Sequence, residues 1–573
     1  MTSTSTETAH PRQPGELSHR QILEIMVGLM LGMFLAALDQ TIVASAMRTI
    51  GDDLHGLSVQ AWVTTAYLIT ATITTPLYGK LSDIYGRKPM FLTAISIFVV
   101  GSALCSLSTS MYMLAAFRAL QGLGAGGLFT LALAIIADIV PPRERARYQG
   151  YFLAVFGTSS VIGPIVGGFF AGQATILGIA GWRWVFLVNV PIAIVALIVV
   201  ARVLNIPHTR RDHRIDWQGA VALTVGLIPL LIVAEQGRGW GWGSPEAIAC
   251  YVVGVLGLLS FVWAESRAGD EALIPLRLFG NRTFSMTSVV GLIVGMGMFG
   301  VIVSLPLYLQ IVKGLTPTAA GLMTVPLVAG IMAGSIVGGQ MISRTGRYKI
   351  YPIIGSALMV VGAVLFTRIN ADTSLVTIGL FMPVFGLGLG MVMQPVVLAV
   401  QNAVPPQDIG VATSSSTFFR QIGGTLGTAV FLSVLFSTVT GKITDAFARA
   451  AQTPQFQAAM KDPAVINNPA NKPILDALHS GATGGGAPDA SAALNDSSFI
   501  QKLSDVLAWP FKVGFSDAMH VVFWMGAAVI SIAFVLLLFL PEVPLRTQSG
   551  MAARQSEEAE AAAAKADAAA GLA

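Results

Sequence analysis

Charge is scarce in this sequence: Asp, Glu, Lys and Arg make up 11% of its 573 residues, against the roughly 25% usual in a soluble domain. With a mean hydropathy of +0.71, that scarcity excludes a soluble globular protein. Cysteine is nearly missing too. Its two copies, Cys105 and Cys250, both stand in apolar runs, which leaves neither a disulfide framework nor a redox motif. The seven histidines are scattered, so no metal site is expected. No P-loop stretch occurs, and the glycines of 122–127 lie inside an apolar run rather than after a strand. Nucleotide hydrolysis, enzymatic activity and a bound cofactor are therefore not expected. The net charge of +4 sits in small Lys/Arg clusters at alternate connections, which membrane topology explains without nucleic acid as a partner. Residues 1–21 lack the basic start and short apolar core of a cleaved signal and read as a cytoplasmic tail.

What is abundant is apolar sequence, 54% of the chain. Runs of about membrane-spanning length occur at 22–47, 60–78, 90–107, 111–137, 149–171, 185–203, 217–233, 247–263, 284–309, 319–342, 350–366, 375–400, 409–438 and 518–540. This predicts an all-α polytopic membrane protein with fourteen transmembrane helices. Residues 22–214 form an N-terminal six-helix half, 215–265 two additional central helices, and 266–541 a C-terminal six-helix half; 542–573 is a C-terminal tail. Basic residues mark alternate connections: Lys80, Arg87 and Lys88; Arg143, Arg145 and Arg147; Arg210, Arg211 and Arg214; Arg267, Arg277 and Arg282; Arg344, Arg347 and Lys349. The positive-inside rule then puts both termini in the cytoplasm of a cell that carries the protein in its plasma or inner membrane. The stretch 442–517, with weak helical periodicity and Gly484–Gly486, is expected outside as loop or partly disordered chain. Trp182-Arg183-Trp184 is expected to anchor a helix end at the membrane interface.

A few polar residues stand out against this background. Residues 79–88, containing Gly79, Asp83, Gly86, Arg87 and Lys88, form a charged island between spans 2 and 3, expected as a loop. A weaker echo begins 259 positions later, at 338–349, and suggests that the second half repeats the first. Asp83 with Arg87 and Lys88 either pins adjacent helix ends when the cytoplasmic side is closed or only fixes topology. Asp39 in span 1 and Arg118 in span 4 are costly in hydrocarbon and therefore functional candidates. At 1.5 Å per residue they lie roughly 12 and 10 Å below the outer ends of their spans, at similar depth. They are a proton-loading pair or a static ion pair. Gly157, Gly163, Pro164, Gly167 and Gly168 give span 5 a flat face, for packing or for bending.

Together these motifs resemble the major facilitator superfamily, and within it the fourteen-span drug:proton antiporters (EmrB/QacA type). Residues 79–88 are similar to the signature between spans 2 and 3, and Arg118 with Gln121-Gly122 to that of span 4. Gly157, Gly163-Pro164 and Gly167-Gly168 resemble the span-5 antiporter signature, and Leu38-Asp39-Gln40-Thr41-Ile42-Val43 that of span 1. The sequences 182–186, 189–191 and 216–219 also resemble that group. The resemblance implies proton-driven export, with Asp39 and Arg118 in coupling, the span-5 residues in the antiport helix and Asp83 with Arg87 in a conformational lock. Arg48 stands where the span-1 pattern usually has proline, and the echo has Arg344 in place of Asp83, so the second half is expected to lock less strongly.

The expected function is proton-coupled export of hydrophobic or amphiphilic drugs and toxic compounds, by a monomer, with the proton as coupling ion. The alternatives are export of lipid or of a hydrophobic natural product, and a non-transporting receptor or scaffold. The cargo path is expected between the halves, with Gln310, Gln394, Arg420 and Gln421 as candidate residues. With few acids in the spans, an apolar or weakly charged amphiphile suits it better than a multiply charged cation.

Overall fold

The computed structural model describes residues 18–55, 59–205, 215–480, 497–546, 548–553 and 555–556. Its frame is a bundle of helices: α1 (His19–Asp53), α2 (Ala61–Tyr85), α3 (Arg87–Ser106), α4 (Met111–Ile139), α5 (Pro142–Ala171), α6 (Asn189–Val203), α7 (Trp217–Trp240), α8 (Pro245–Ala268), α9 (Arg282–Ile311), α10 (Val325–Thr345), α11 (Ile350–Phe366), α12 (Leu375–Ala403), α13 (Ile409–Ala451) and α14 (Asp505–Leu538). Among the described residues, twelve helical segments are long and apolar enough to cross a membrane. Helix α2, with threonine at 64, 65, 70, 72, 74 and 75, and the 17-residue α11 are two further members of the bundle. Polar residues start several of these helices by accepting from free first-turn amides: Ser18, Ser110, Asp216, Ser244, Asn281 and Ser374.

The apolar core is divided. One cluster draws on α9 to α14, from Val290 to Leu540. Two others draw on α1 to α6 and the turn before α6, between Ile22 and Leu204. Helices α7 and α8 pair closely, with Gly226 against Gly257 and Leu258, and α7 buries Leu223, Leu227 and Leu231 with Ile69, Ile73 and Phe418 beside the seam. Smaller clusters bridge the two sets of helices: Ile69 and Ile73 with Phe418, and Ala137 with Val400 and Ile409.

The expected loops are more helical than their polarity suggests. Only Gly86 interrupts the helix across the island 79–88; its φ of 97° turns the chain between α2 and α3, a value glycine adopts without a Cβ penalty. The basic stretch after Pro141 forms the first turns of α5. Helix α1 runs through Arg48 to Asp53. There Asp53 accepts a 2.7 Å bond from Trp182 Nε1, and Trp182 is 2% exposed; it is a packing residue and not an interfacial anchor. Helix α13 extends to Ala451 and α14 begins at Asp505. Between them, Pro454–Ala459, Pro463–Ile466 and Lys472–Ser480 are short helices that bury Phe456, Val465, Ile474 and Leu475. Their alanine and asparagine content hid a small apolar core made by residues too few to set a periodicity. Gly484–Gly486, Arg210, Arg211, Arg214, residues 1–17 and residues 557–573 lie outside the described residues.

Past α14 the chain folds back over the end of the bundle that carries the basic connections, here called the basic end. Tyr348 Oη donates to Pro541 O and accepts from Val543 N, while Asn402 accepts from Arg546 N at 3.0 Å and donates to Pro544 O at 3.1 Å. Met551 is buried, and Gly550 sits against Ala137 and Ile409, one from each half.

Candidate functional site

Asp39 is fully buried in α1 and meets Arg118 of α4, 1% exposed, at 2.5 Å. The second carboxylate oxygen accepts from Gln121 Nε2 at 2.9 Å and from Asn189 Nδ2 at 2.8 Å. Gln121 also accepts from Arg118 at 2.7 Å, and Asn189 donates to Ser102 Oγ at 3.0 Å. The guanidinium lies 4.0 Å from the centre of the Tyr67 ring. Burying two charges costs several kcal/mol per ion unless paired and hydrogen-bonded; here helices α1, α3, α4 and α6 each supply a partner. Asn189, in sequence only a member of the motif 189–191, is here a partner of the buried carboxylate. Its signal was an amide alone in an apolar run at the start of α6.

The span-5 glycines divide by neighbour. Gly163 and Gly167 let α5 approach Thr41, Ile42 and Ser45 of α1, and Thr41 Oγ1 donates to Ser159 O at 3.0 Å. A Cβ at Gly157 would lie 2.5 Å from Val328 Cγ1 in the other half, and Pro164 faces Gly321 across the same seam, while Gly168 meets nothing. One helix therefore touches both the carboxylate-bearing helix and the opposite half.

At the basic end, Asp83 accepts from Val411 N at 3.0 Å, an amide in the first turn of α13 that has no intrahelical partner. Its other oxygen meets Arg87 Nη2 at 2.7 Å, and Arg87 Nε reaches Asp138 at 2.7 Å. Ser82 also accepts from Arg87. Gly79 packs on Ser414 and Gly410, and Lys88 bonds Asn205 at 2.7 Å. Arg277 holds Asp408, just before α13, through two bonds of 2.9 and 3.0 Å. Arg145 reaches Gln401 at 2.6 Å, and Arg143 donates to Ser343 O and Arg344 O at 2.8 and 3.1 Å. Of these, the bonds of Asp83 to Val411, Arg145 to Gln401 and Arg143 to Ser343 and Arg344 join α2 and α5 to α13, α12 and α10 at the basic end.

The cargo candidates scatter. Gln421 accepts from Thr75 Oγ1 across the seam at 3.1 Å. Arg420 lines a cleft between α9, α12 and α13, while Gln394 is buried beside it on α12. Gln310 is not near them: it ends α9, about 24 Å along the helix from cleft residue Val294, where Gln501 bonds its carbonyl. A cavity of about 790 Å³ is an open apolar groove along α7 and α8, lined by Trp217, Val225, Leu256 and Trp263. Among the described residues no group of His, Cys, Asp and Glu is placed to hold a metal.

A bundle of long apolar helices with a buried ion pair at Asp39 and Arg118 has known relatives. The Major Facilitator Superfamily model matches residues 29–428. The chain belongs to the major facilitator superfamily. It is 35% identical to the Multidrug transporter protein MdtP of Bacillus subtilis over 551 residues, 95% of this chain and 97% of that protein. It is also 35% identical to Multidrug resistance protein 3 of the same organism over 424 residues, 74% of this chain and 81% of that one. The solved proton:xylose symporter XylE shares the fold, with a TM-score of 0.57 at 15% identity over 94% of this chain and 99% of its own. This member of the superfamily is thus a multi-pass secondary transporter, not an enzyme.

Proposed function

We propose that this protein is a proton-coupled exporter of hydrophobic or amphiphilic drugs and toxic compounds, of the fourteen-span drug:proton antiporter type. In this reading α2 and α11 are spans, the basic end faces the cytoplasm, and one copy is the working unit. The observation that carries the reading is Asp39, a wholly buried carboxylate whose partners all come from other helices. A proton and Arg118 compete for one carboxylate. Protonation leaves Arg118 without its counter-charge and loosens α1 from α4, which makes proton binding and helix rearrangement one event. Helix α5, packed on α1 through Gly163 and Gly167 and on α10 through Gly157, carries that rearrangement to the seam. The names of the two Bacillus subtilis relatives support drug export.

The test is reconstitution in vesicles with an imposed pH gradient and a panel of lipophilic dyes, drugs and lipids. Asp39→Asn is expected to lower proton-driven export about 100-fold or more, since it removes one member of a buried pair, while gradient-independent exchange persists. Full coupled activity in that variant removes Asp39 from the mechanism. Transport confined to the lipids replaces drug export with lipid export.

A further inference from the structure

The interior of the bundle is not electrically balanced. Asp39 and Arg118 cancel in the N-terminal half. In the other half, α9 beyond Arg282, α11 and α12 carry no charged residue, and α13 carries only Arg420 before Lys442. Among the described residues the partly buried Arg420 side chain has no ion-pair or hydrogen-bond partner. It lines a cleft whose walls are apolar: Val290 and Val294 from α9, Val392, Met393 and Val396 from α12, with the Ser416 hydroxyl one turn away on α13. Its neighbour Gln421 is bonded to Thr75 across the seam, so the cleft adjoins the surface along which the halves part. It encloses about 10 Å³, room for one water.

A guanidinium among apolar side chains pays a desolvation cost that a protein usually offsets with an acid of its own. None is offered here. A planar five-donor fork matches a carboxylate through two parallel bonds, and valine and methionine walls match an apolar body. We propose that Arg420 is the headgroup site for the cargo, and that the cargo is an amphiphile carrying one negative charge, of carboxylate type. The unbalanced positive charge works against permanent cations in the same cleft. This rests on the export reading and narrows its substrate class.

The test uses the full-length protein in vesicles and three fluorescent probes with one alkyl–dansyl body, ending in a carboxylate, an amide or a trimethylammonium group. Wild type is expected to export the carboxylate at least about tenfold faster than the ammonium probe. Arg420→Gln is expected to lower carboxylate export about tenfold and leave the amide probe within about twofold; Arg420→Lys retains part of the preference. An equal loss for all three probes in Arg420→Gln, or no carboxylate preference in wild type, overturns the proposal. Binding of each probe to purified protein, read by fluorescence without a gradient, separates the two readings. Arg420-dependent carboxylate binding without proton-driven export keeps this site and rejects the exporter. Proton-driven export without carboxylate preference keeps the exporter and rejects this site. An elution profile matching wild type confirms that the variants are folded.

Discussion

The island 79–88 and its echo 338–349 are alike in sequence and opposite in electrostatics. The first presents an acid, Asp83, to the amide end of α13. The second carries no acid and presents instead the last carbonyls of α10, which accept from Arg143 of the first half. Anions are stabilised at helix N-termini and cations at C-termini, so both contacts are favourable, and in both the N-terminal half supplies the charged side chain. The difference lies in burial: Asp83 and Arg87 are 10% and 4% exposed, whereas Arg143 is exposed. A copied motif has kept its place at the seam and exchanged the group it offers.

The comparison breaks most severely at Asp83. Asp83→Asn leaves Arg87 with Asp138 alone and removes the charge facing α13; losing one member of a buried pair costs about 3–5 kcal/mol, so the joined basic end is expected to become at least about 100-fold rarer. A cysteine introduced at Ser414, in a background lacking Cys105 and Cys250, reports this through its labelling by a membrane-impermeant maleimide. Adding Arg344→Asp is expected not to rescue the variant, because α10 offers carbonyls there and not amides; rescue would show that the acid alone matters. A smaller effect is expected from Gly410→Ala, whose Cβ would lie 2.5 Å from Arg87 Nη1. Overpacking of this kind costs about 1–3 kcal/mol, and labelling is expected to rise roughly tenfold. The smallest belongs to Arg143→Ala. An exposed charge contributes about 1 kcal/mol or less, so labelling rises at most about fivefold, and a change as large as that of Asp83→Asn would erase the distinction between the two contacts.

Much of this was legible in the chain. Apolar runs located the helices because a bilayer demands length and hydropathy, and the depth of Asp39 and Arg118 followed from helix rise alone. The interruption at Gly86 and the helical first turns of α5 were not legible, since charge at a membrane boundary looks the same in a helix end and in a loop. Asn189 was hidden because a single amide leaves no periodic trace. The lack of a partner for Arg420 could not be read at all: pairing is a property of three dimensions, and the nearest charges along the chain, Asp408 and Lys442, say nothing about what stands across the cleft.

The return of the chain over the basic end carries a consequence for biosynthesis. Residues 541–546 and 548–551 join Tyr348 and Asn402 of one half to a surface that includes Ala137 of the other, and they leave the ribosome after every helix of the bundle. A nascent chain with all its helices in the membrane still lacks these contacts, so the clasp between the halves is completed only once synthesis has passed Met551.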